Sequence, residues 1–282
     1  MNKNNIGYWL PKIKNAVKTS DFFAIPDTTI VKVPMPILQL TRTDYFSLTH
    51  TTKEIVNRYC QKVFGLNTNR KYFIKTGTYS SKFDFRNACI RSPQEVLEIG
   101  EYLLFIQFQA SQMAAPLSKP CIYGVSTTNE WCVRDFIEDK ENNPTIYHGL
   151  PLHTEYRVFV DCDTDEVIGI HNYWDSKVMK DRFGNQSDKD EPDKIYDYII
   201  YTSHEETLYK RYEENKDKVV EKVKEILPLM KLSGQWSIDI MQNNNDFWII
   251  DMAIAENSAF YDCVPLELRR KTDENWLPQI EM

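Results

Sequence analysis

The chain has 282 residues, of which 42% are hydrophobic and 27% are charged, and this composition is typical of a globular protein with a sizeable core. Its 41 acidic and 34 basic residues give a net charge of −7, which excludes a broad nucleic-acid-binding surface. The sequence contains no Walker-type glycine loop, no CxxC pair and no membrane-length apolar run. We expect no signal peptide, a cytoplasmic location, reduced cysteines, and neither a membrane nor a nucleic-acid partner.

Residues 1–70 are predicted to form an N-terminal α/β lobe. Either a short helix or an irregular lead is expected over residues 5–18, and a proline-bounded apolar run over residues 25–34 predicts a strand. Apolar side chains at helical spacing predict an amphipathic helix over residues 53–64. None of these segments carries a motif that identifies a substrate.

A second, smaller lobe is predicted over residues 71–140, and its first strand ends at Lys75. The polar loop that follows contains Ser80, Ser81 and Lys82. A lysine at a strand end is directed to the polar rim of a sheet, and hydroxyls with free backbone N–H groups suit phosphate oxygens. We therefore predict a phosphate-binding loop. The alternative is a surface loop with two solvated lysines.

The second lobe continues with a helix over residues 93–112, because Ser92 and Glu95 have the spacing of a capping box. A strand over residues 130–137 completes it.

The end of that strand is a second candidate site, formed by Arg134, Asp135, Phe136, Ile137 and Glu138. Main-chain groups at such a strand end can bind a planar ring, and a carboxylate just beyond it could bind a ribose. The alternative is an ordinary strand end.

Residues 141–282 are predicted to form a large lobe that begins with a hairpin of two strands, residues 155–160 and 167–174. Alternation of side chains places Glu155 and Arg157 on the same face of the first strand. The two residues are either a structural ion pair or part of a nucleotide site in which Arg157 binds phosphate.

Two charged segments follow the hairpin. Residues 176–195 are rich in Asp, Lys, Asn and Gly and poor in apolar residues, which predicts a mobile lid loop. Residues 205–231 have an apolar stripe at helical spacing, and Pro228 is expected to end or kink this helix.

The most informative feature is a pair of apolar strands, residues 236–241 and 247–252, around an Asn-rich turn. Each strand carries one acid, Asp239 or Asp251, and antiparallel pairing would bring the two acids together. Burying two carboxylates together is costly unless a cation compensates. Magnesium meets that need because it prefers oxygen ligands and also binds phosphates. The alternative is two acids on the wet face of a hairpin.

The order of these segments resembles the ATP-grasp superfamily and, within it, the eukaryotic cell-division-cycle family that assembles initiation factor two. Bacterial ATP-grasp proteins of unassigned substrate are similar too. The likeness covers residues 71–262 and depends on the lysine strand with its serine loop, the Arg-Asp-Phe-Ile segment, and the Glu-x-Arg-x-Phe-Val, Ile-Gly-Ile and Trp-Ile-Ile-Asp strands. It implies an α+β protein of the ATP-grasp fold, in which a nucleotide is held between two β-sheet lobes.

The resemblance also implies roles for the candidate residues of the smaller lobe. Lys75 would contact the α- and β-phosphates, while Lys82 would lie with Ser80 and Ser81 in the loop over them. Residues 134–137 would bind adenine through main-chain groups, and Glu138 would bind the ribose.

In the large lobe, the resemblance assigns phosphate to Arg157 and Mg²⁺ to Asp239 and Asp251. The superfamily usually has an Asn two positions after the second metal acid, whereas this chain has Ala253. Two alternatives follow: Glu256 or Asn257 substitutes for the missing ligand, or only one metal ion binds.

The implied function is a Mg-ATP-dependent ligase that activates a carboxylate as an acyl-phosphate and joins it to an amine or a thiol, with Lys75 and Arg157 as the catalytic groups. One alternative, which Ala253 favours, is an ATP-binding chaperone that assembles a partner protein without a ligase reaction. A further alternative is a binding protein with a degenerate site. We favour the ligase, and the sequence specifies neither its carboxylate substrate nor a protein partner.

Overall fold

The structure is a computed structural model that describes residues 2–41, 45–114, 125, 127–183 and 192–271. It confirms the predicted α+β class. The helices are α1 (Ile6–Val17), α2 (Met35–Gln39), α3 (His50–Phe64), α4 (Pro93–Leu97), α5 (Ile99–Ala114), α6 (Ser176–Phe183) and α7 (Pro192–Ile226). The strands are β1 (Phe23–Ala24), β2 (Thr28–Lys32), β3 (Tyr72–Thr76), β4 (Cys89–Ile90), β5 (Glu130–Asp135), β6 (Thr145–Ile146), β7 (Leu150–Pro151), β8 (Thr154–Asp161), β9 (Glu166–Asn172), β10 (Gln235–Asn243) and β11 (Asp246–Ile254).

The described residues form two compact units. The first contains residues 2–11 and 26–137, and the second contains residues 12–25 and 138–271. Strand β2 and helix α3, which belong to the predicted N-terminal lobe, lie in the first unit together with β3 and β5 of the predicted small lobe. The division into three lobes stays a prediction.

The first unit is built on a four-stranded antiparallel sheet with strand order β2-β5-β3-β4. Helix α5 packs against the sheet and against α3. Between α5 and the sheet, the buried indole N–H of Trp131 is satisfied because it donates to the side-chain oxygen of Gln107 at 3.2 Å. Both ends of α3 follow local sequence signals, with Thr49 as N-cap and Gly65 in the left-handed conformation after its last turn.

The helix predicted over residues 93–112 is two helices, which corrects the sequence analysis. The predicted capping box of Ser92 and Glu95 is present and starts α4. The chain then leaves helical geometry at Glu98, and α5 begins at Ile99. The cause lies outside the segment: the Asn57 side chain on α3 accepts the Glu101 N–H at 3.0 Å and so caps the second helix.

The second unit contains a five-stranded sheet with order β1-β11-β10-β8-β9. Strand β1 is parallel to β11, and the other pairs are antiparallel. The hairpins predicted around residues 161–165 and 242–246 are both confirmed. Helix α7 packs on β8 and β9, where Tyr156 stacks on Tyr212 with ring centroids 5.5 Å apart.

The predicted lid over residues 176–195 is wrong at both of its ends. Residues 176–183 form α6, and α7 already begins at Pro192; residues 184–191 lie outside the described part of the chain. Helix α6 forms because Asp175 accepts the Val178 N–H at 2.9 Å, and its Met179 is buried. One buried methionine therefore anchors a segment whose mean composition is polar. The prediction that Pro228 ends the long helix is confirmed, since α7 gives way there to a 3-10 turn, Leu227–Leu229.

Within the described residues, no helix combines the length and the apolar character that crossing a membrane would require.

Candidate functional site

The two acids of the predicted metal hairpin lie opposite each other. Strands β10 and β11 pair so that Asp239 faces Asp251, and β10 pairs with β8 so that Asp239 also faces Arg157. Strand β9 continues the line with His171 opposite Arg157. Residues directly opposite each other in a sheet share a face. We call these four residues, which cross four strands, the charged row.

The centre of the charged row is a bidentate ion pair. The Nε and Nη2 atoms of Arg157 donate to the two carboxylate oxygens of Asp239 at 2.8 Å and 2.6 Å. The Nη1 atom donates to the carbonyl of Ala259 at 3.4 Å, and the guanidinium lies 4.7 Å from the ring centre of Tyr173. Burial by itself lowers the pKa of Arg157. The carboxylate of Asp239, together with those of Asp251 and Glu155, more than offsets this effect and raises the Arg157 pKa above its ordinary value.

Glu155 was predicted as an alternative ion-pair partner of Arg157. The structure shows Asp239 as the acid that holds the guanidinium, while Glu155 lies two residues away on β8 and contributes a smaller electrostatic effect. Both of these acids are buried. The preference for Asp239 follows from register, since a residue directly across the ladder is closer than the second neighbour along the same strand.

Part of the sheet face that carries the charged row is covered by the segment after β11. Ser237 and Ser258 share a hydrogen bond of 2.6 Å, and Phe260 stacks on His171 at 4.3 Å with nearly parallel rings. His171 is further fixed by a 2.8 Å bond between its Nδ1 atom and the Asn172 carbonyl. His171 was not among the predicted site residues, because only strand pairing places it beside Arg157.

The excess of acidic side chains in the charged row and at the neighbouring Glu155 favours the binding of a cation. Glu155, Arg157 and Asp239 are buried and Asp251, opposite Asp239, is half-buried, so three acidic side chains lie near one guanidinium. Carboxylates held together at low dielectric are stabilised by a hard divalent ion. The residues present therefore suit a magnesium ion, with Asp251 as the acid that is not in the bidentate pair.

The predicted auxiliary metal ligands come directly after β11. Glu256 is exposed and Asn257 is half-buried in a short 3-10 helix, Ala255–Asn257. Ala253 lies opposite Ser237, and the Ser237 hydroxyl donates to its carbonyl at 3.3 Å. Position 253 therefore brings a methyl group to the face where a ligand oxygen was expected.

The Lys75 loop, residues 75–82, begins with the last two residues of β3 in the first unit. Lys75, the next-to-last residue of the strand, is buried; Ser81 is buried in a left-handed conformation, and Ser80 and Lys82 are partly exposed. The loop is a closed turn in which the Thr76 N–H donates to the Tyr79 carbonyl at 2.8 Å and the Tyr79 N–H donates to the Thr76 hydroxyl at 3.1 Å.

The backbone of this loop departs from the sequence-based expectation of free N–H groups. Besides the N–H groups of Thr76 and Tyr79, that of Gly77 is also bonded, to the Glu130 carbonyl at 2.8 Å. The N–H groups of Thr76, Gly77 and Tyr79 are therefore already engaged within the protein.

The predicted adenine segment begins within β5 and runs beyond it. Arg134 is buried, and Asp135, at the last position of the strand, pairs with Arg70 in the first unit. Phe136 and Ile137 are partly exposed. Glu138 belongs to the second unit, where its side chain is exposed and its carbonyl accepts from the Asn243 side chain at 2.8 Å.

A second polar cluster was not predicted. Asp139, Glu141 and His153 place one potential metal-binding atom each within 4.8 Å of the others, and no other group of three among the described residues does so. Both oxygens of Asp139 accept N–H groups of its own loop, at 2.6–3.0 Å, and Glu141 pairs with Arg211 at 2.8 Å. Internal hydrogen bonds and a neighbouring cation thus account for the cluster. The sequence gives little signal for it, because His153 is distant from both acids along the chain.

A comparison with protein-family models gives no match, and a comparison with curated proteins gives none either. Solved structures do resemble the chain. C-terminally truncated Cdc123 from Schizosaccharomyces pombe is similar over 95% of this chain and 92% of its own, with 10% identity and a TM-score of 0.49. The ATP complex of a D-alanine–D-alanine ligase from Bacillus anthracis is similar over 86% and 51%, with 9% identity and a TM-score of 0.36. An ATP-grasp protein with a RimK domain from Sphaerobacter thermophilus is similar over 87% and 57%, with 10% identity and a TM-score of 0.33.

Cdc123 and ATP-grasp ligases, the two groups that the sequence resembles, are thus both among the solved structures similar to this chain. At these identities the similarity concerns the fold alone.

Proposed function

We propose that this protein binds Mg-ATP and uses it as a ligase that joins a carboxylate to an amine or a thiol. The observation that carries the proposal is the charged row, in which Asp239 and Asp251 face each other across one ladder beside the buried Arg157. Such a concentration of acids on a largely buried sheet face is costly without a cation, and a magnesium ion would offset it.

Magnesium, when bound, neutralises charge on phosphate oxygens, and Asp251 with Asp239 would hold it. Arg157 would orient Asp239 through its bidentate contact and place a second positive charge near developing phosphate charge. Lys75 and Lys82 would each bind phosphate as a point charge, and Ser80 with Ser81 would donate hydroxyl hydrogen bonds.

The proposed reaction has two steps. A substrate carboxylate oxygen attacks the γ-phosphorus of ATP, the bond to the β,γ-bridging oxygen breaks, and ADP leaves with an acyl-phosphate as the other product. An amine or thiol then attacks the acyl carbon and releases inorganic phosphate. The side chains named above would act by positioning and by electrostatic stabilisation, and Phe136, Ile137 and Glu138 are proposed to contact the nucleoside.

Nucleotide binding can be tested by calorimetric titration with ATP in magnesium buffer and again in EDTA. We expect Asp251→Asn to abolish the magnesium-dependent part of the affinity. The matched control is Asp246→Asn, the same substitution on the same strand at an exposed acid that pairs with Lys140. Equal affinity of the Asp251→Asn variant and the wild type would refute the metal assignment, whereas loss of affinity in both variants would point to a damaged hairpin.

A second candidate function is ATP binding by an assembly chaperone without turnover. Ala253 favours it, because a methyl group supplies no ligand oxygen beside Asp251 and a second ion would be held less well. Incubation with Mg-ATP and pools of carboxylates and amines separates the two functions. ADP release that depends on a carboxylate supports the ligase, whereas tight nucleotide binding without release supports the chaperone.

A further inference from the structure

The amino-terminal residues of the first unit contact the Lys75 loop. Helix α1 begins at Ile6, and the Ile6 N–H donates to the Gly77 carbonyl at 2.9 Å. On the other side of the same residue, the Gly77 N–H donates to the Glu130 carbonyl at 2.8 Å and lies 3.2 Å from the Thr128 hydroxyl. Both backbone groups of Gly77 are therefore bonded to segments distant in the sequence.

Side-chain atoms lie close to the backbone at two glycines, Gly77 in the Lys75 loop and Gly7 in α1. A Cβ on Gly77 would lie 2.1 Å from the Asn5 side-chain oxygen and 2.6 Å from the Thr128 hydroxyl. A Cβ on Gly7 would lie 2.4 Å from the carboxylate of Glu130, which accepts the Gly7 N–H at 3.0 Å. At both glycines the atoms that a Cβ would meet belong to side chains, so an added methyl group would force Asn5, Thr128 or Glu130 to shift.

The amino-terminal segment also places a buried polar atom without a hydrogen-bond partner at this contact. Asn5 is 2% exposed, and its side-chain oxygen is buried without a hydrogen-bond partner against Gly77. A buried acceptor without a donor lowers stability, and such groups in folded proteins call for an explanation. Asn5 itself is fixed at both ends of its backbone, since its N–H donates to the Asn2 carbonyl and its carbonyl accepts the Tyr8 N–H.

We propose that residues 2–7, the N-terminal brace, are a positioning element for the Lys75 loop. The brace holds Gly77 in two ways: the Ile6 N–H donates to the Gly77 carbonyl, and the Asn5 side chain packs against the Gly77 Cα. Along the chain, Gly77 lies between Lys75 and the hydroxyls of Ser80 and Ser81. Rotation of the Gly77 peptide would redirect all of these groups, so the brace sets the geometry in which they meet an anion. The role in ligand binding depends on the proposed function, whereas the mechanical role does not.

The first test measures hydrogen exchange at Thr76 and Tyr79, whose N–H groups close the loop turn. We expect Gly77→Ala and Gly7→Ala, which obstruct the contact from opposite sides, each to accelerate exchange at these two amides by about tenfold or more. Asn15→Ala, an exposed change on the same helix, is the control and should leave exchange at the wild-type rate. Unchanged exchange in both glycine variants would overturn the brace, whether or not the protein binds nucleotide.

The second test compares ATP with adenosine by calorimetric titration. We expect both glycine variants to weaken ATP binding by about tenfold while adenosine affinity stays unchanged, because the loop is proposed to contact phosphate alone. If wild-type protein binds ATP and faster loop exchange leaves ATP affinity intact, the positioning role is wrong. If the wild type itself does not bind ATP, the proposed function fails, and hydrogen exchange alone decides the brace.

Discussion

Replacing Arg157 by Met would remove the only cation of the charged row and leave Asp239 without its bidentate partner. The two side chains are 11% and 10% exposed, so Asp239 would remain as a buried, uncompensated charge opposite Asp251. Breaking a buried ion pair in this way costs about 3–5 kcal/mol of the free energy of unfolding. At about 2–4 °C per kcal/mol for a large domain, the melting temperature should fall by roughly 6–20 °C.

The assay is urea denaturation in EDTA, because guanidinium chloride would screen the charges. Addition of magnesium should then restore part of the lost stability, since an ion at Asp239 and Asp251 replaces the missing positive charge. A ligand at a hundred times its dissociation constant stabilises by about 2.7 kcal/mol, which sets the scale of the recovery.

The matched control is Arg270→Met, the same substitution at an arginine that pairs with Asp161 and Asp163 in the same unit. Its loss of stability should be smaller, because Arg270 is 46% exposed, and magnesium should stabilise this variant no more than it stabilises the wild type. A stability of Arg157→Met equal to that of the wild type, or equal stabilisation of both variants by magnesium, would contradict this prediction.

Two further predictions concern stability. Asn57→Ala should lower the free energy of unfolding by about 1–3 kcal/mol, because it removes the acceptor for the Glu101 N–H inside the first unit. The control is Thr49→Ala at the exposed N-cap of α3, which should cost about 1 kcal/mol. Equal losses for the two variants in urea denaturation would contradict the role of Asn57. Burial lowers the pKa of His153 below its ordinary value of 6.5, with Arg211 acting in the same direction and Asp139 and Glu141 opposing it. The unfolded chain therefore binds more protons below pH 6.5, so stability is complete above that pH and falls as the pH falls below it. His153→Gln should flatten the dependence of melting temperature on pH between about 6.5 and 5, and an unchanged slope would show that other groups cause it.

The helices and strands with clear local signals were predictable from the sequence. The Asn-rich turn between β10 and β11, the Ser92 capping box and the end of α7 near Pro228 depend on residues within a few positions of one another. Turn and cap chemistry acts over that range, which is why these elements are where the sequence analysis predicted them. The register of the turn alone would place Asp239 opposite Ile250. A register shift between Asp239 and Ile240 brings it opposite Asp251, so the turn predicts only that the two acids lie near each other.

The partners of the candidate groups depend on the tertiary structure. Arg157 and Asp239 are 82 positions apart, and Gly7 and Glu130 are 123 apart. Strand order and register set the first contact, so composition along β8 could not decide between Glu155 and Asp239 as the partner of Arg157. The break before α5 has the same origin, because the capping side chain belongs to another helix.

The sequence by itself thus determined the elements with strong local signals, such as the capped start of α4 and the hairpin of β10 and β11, and it placed two acids on that hairpin. Only the tertiary structure decided which cation holds Asp239 and which backbone groups of the Lys75 loop are already bonded. The physical reason is range. Backbone conformation and capping are governed by neighbours along the chain, whereas ion pairs and buried hydrogen bonds form wherever folding brings complementary groups within about 3 Å.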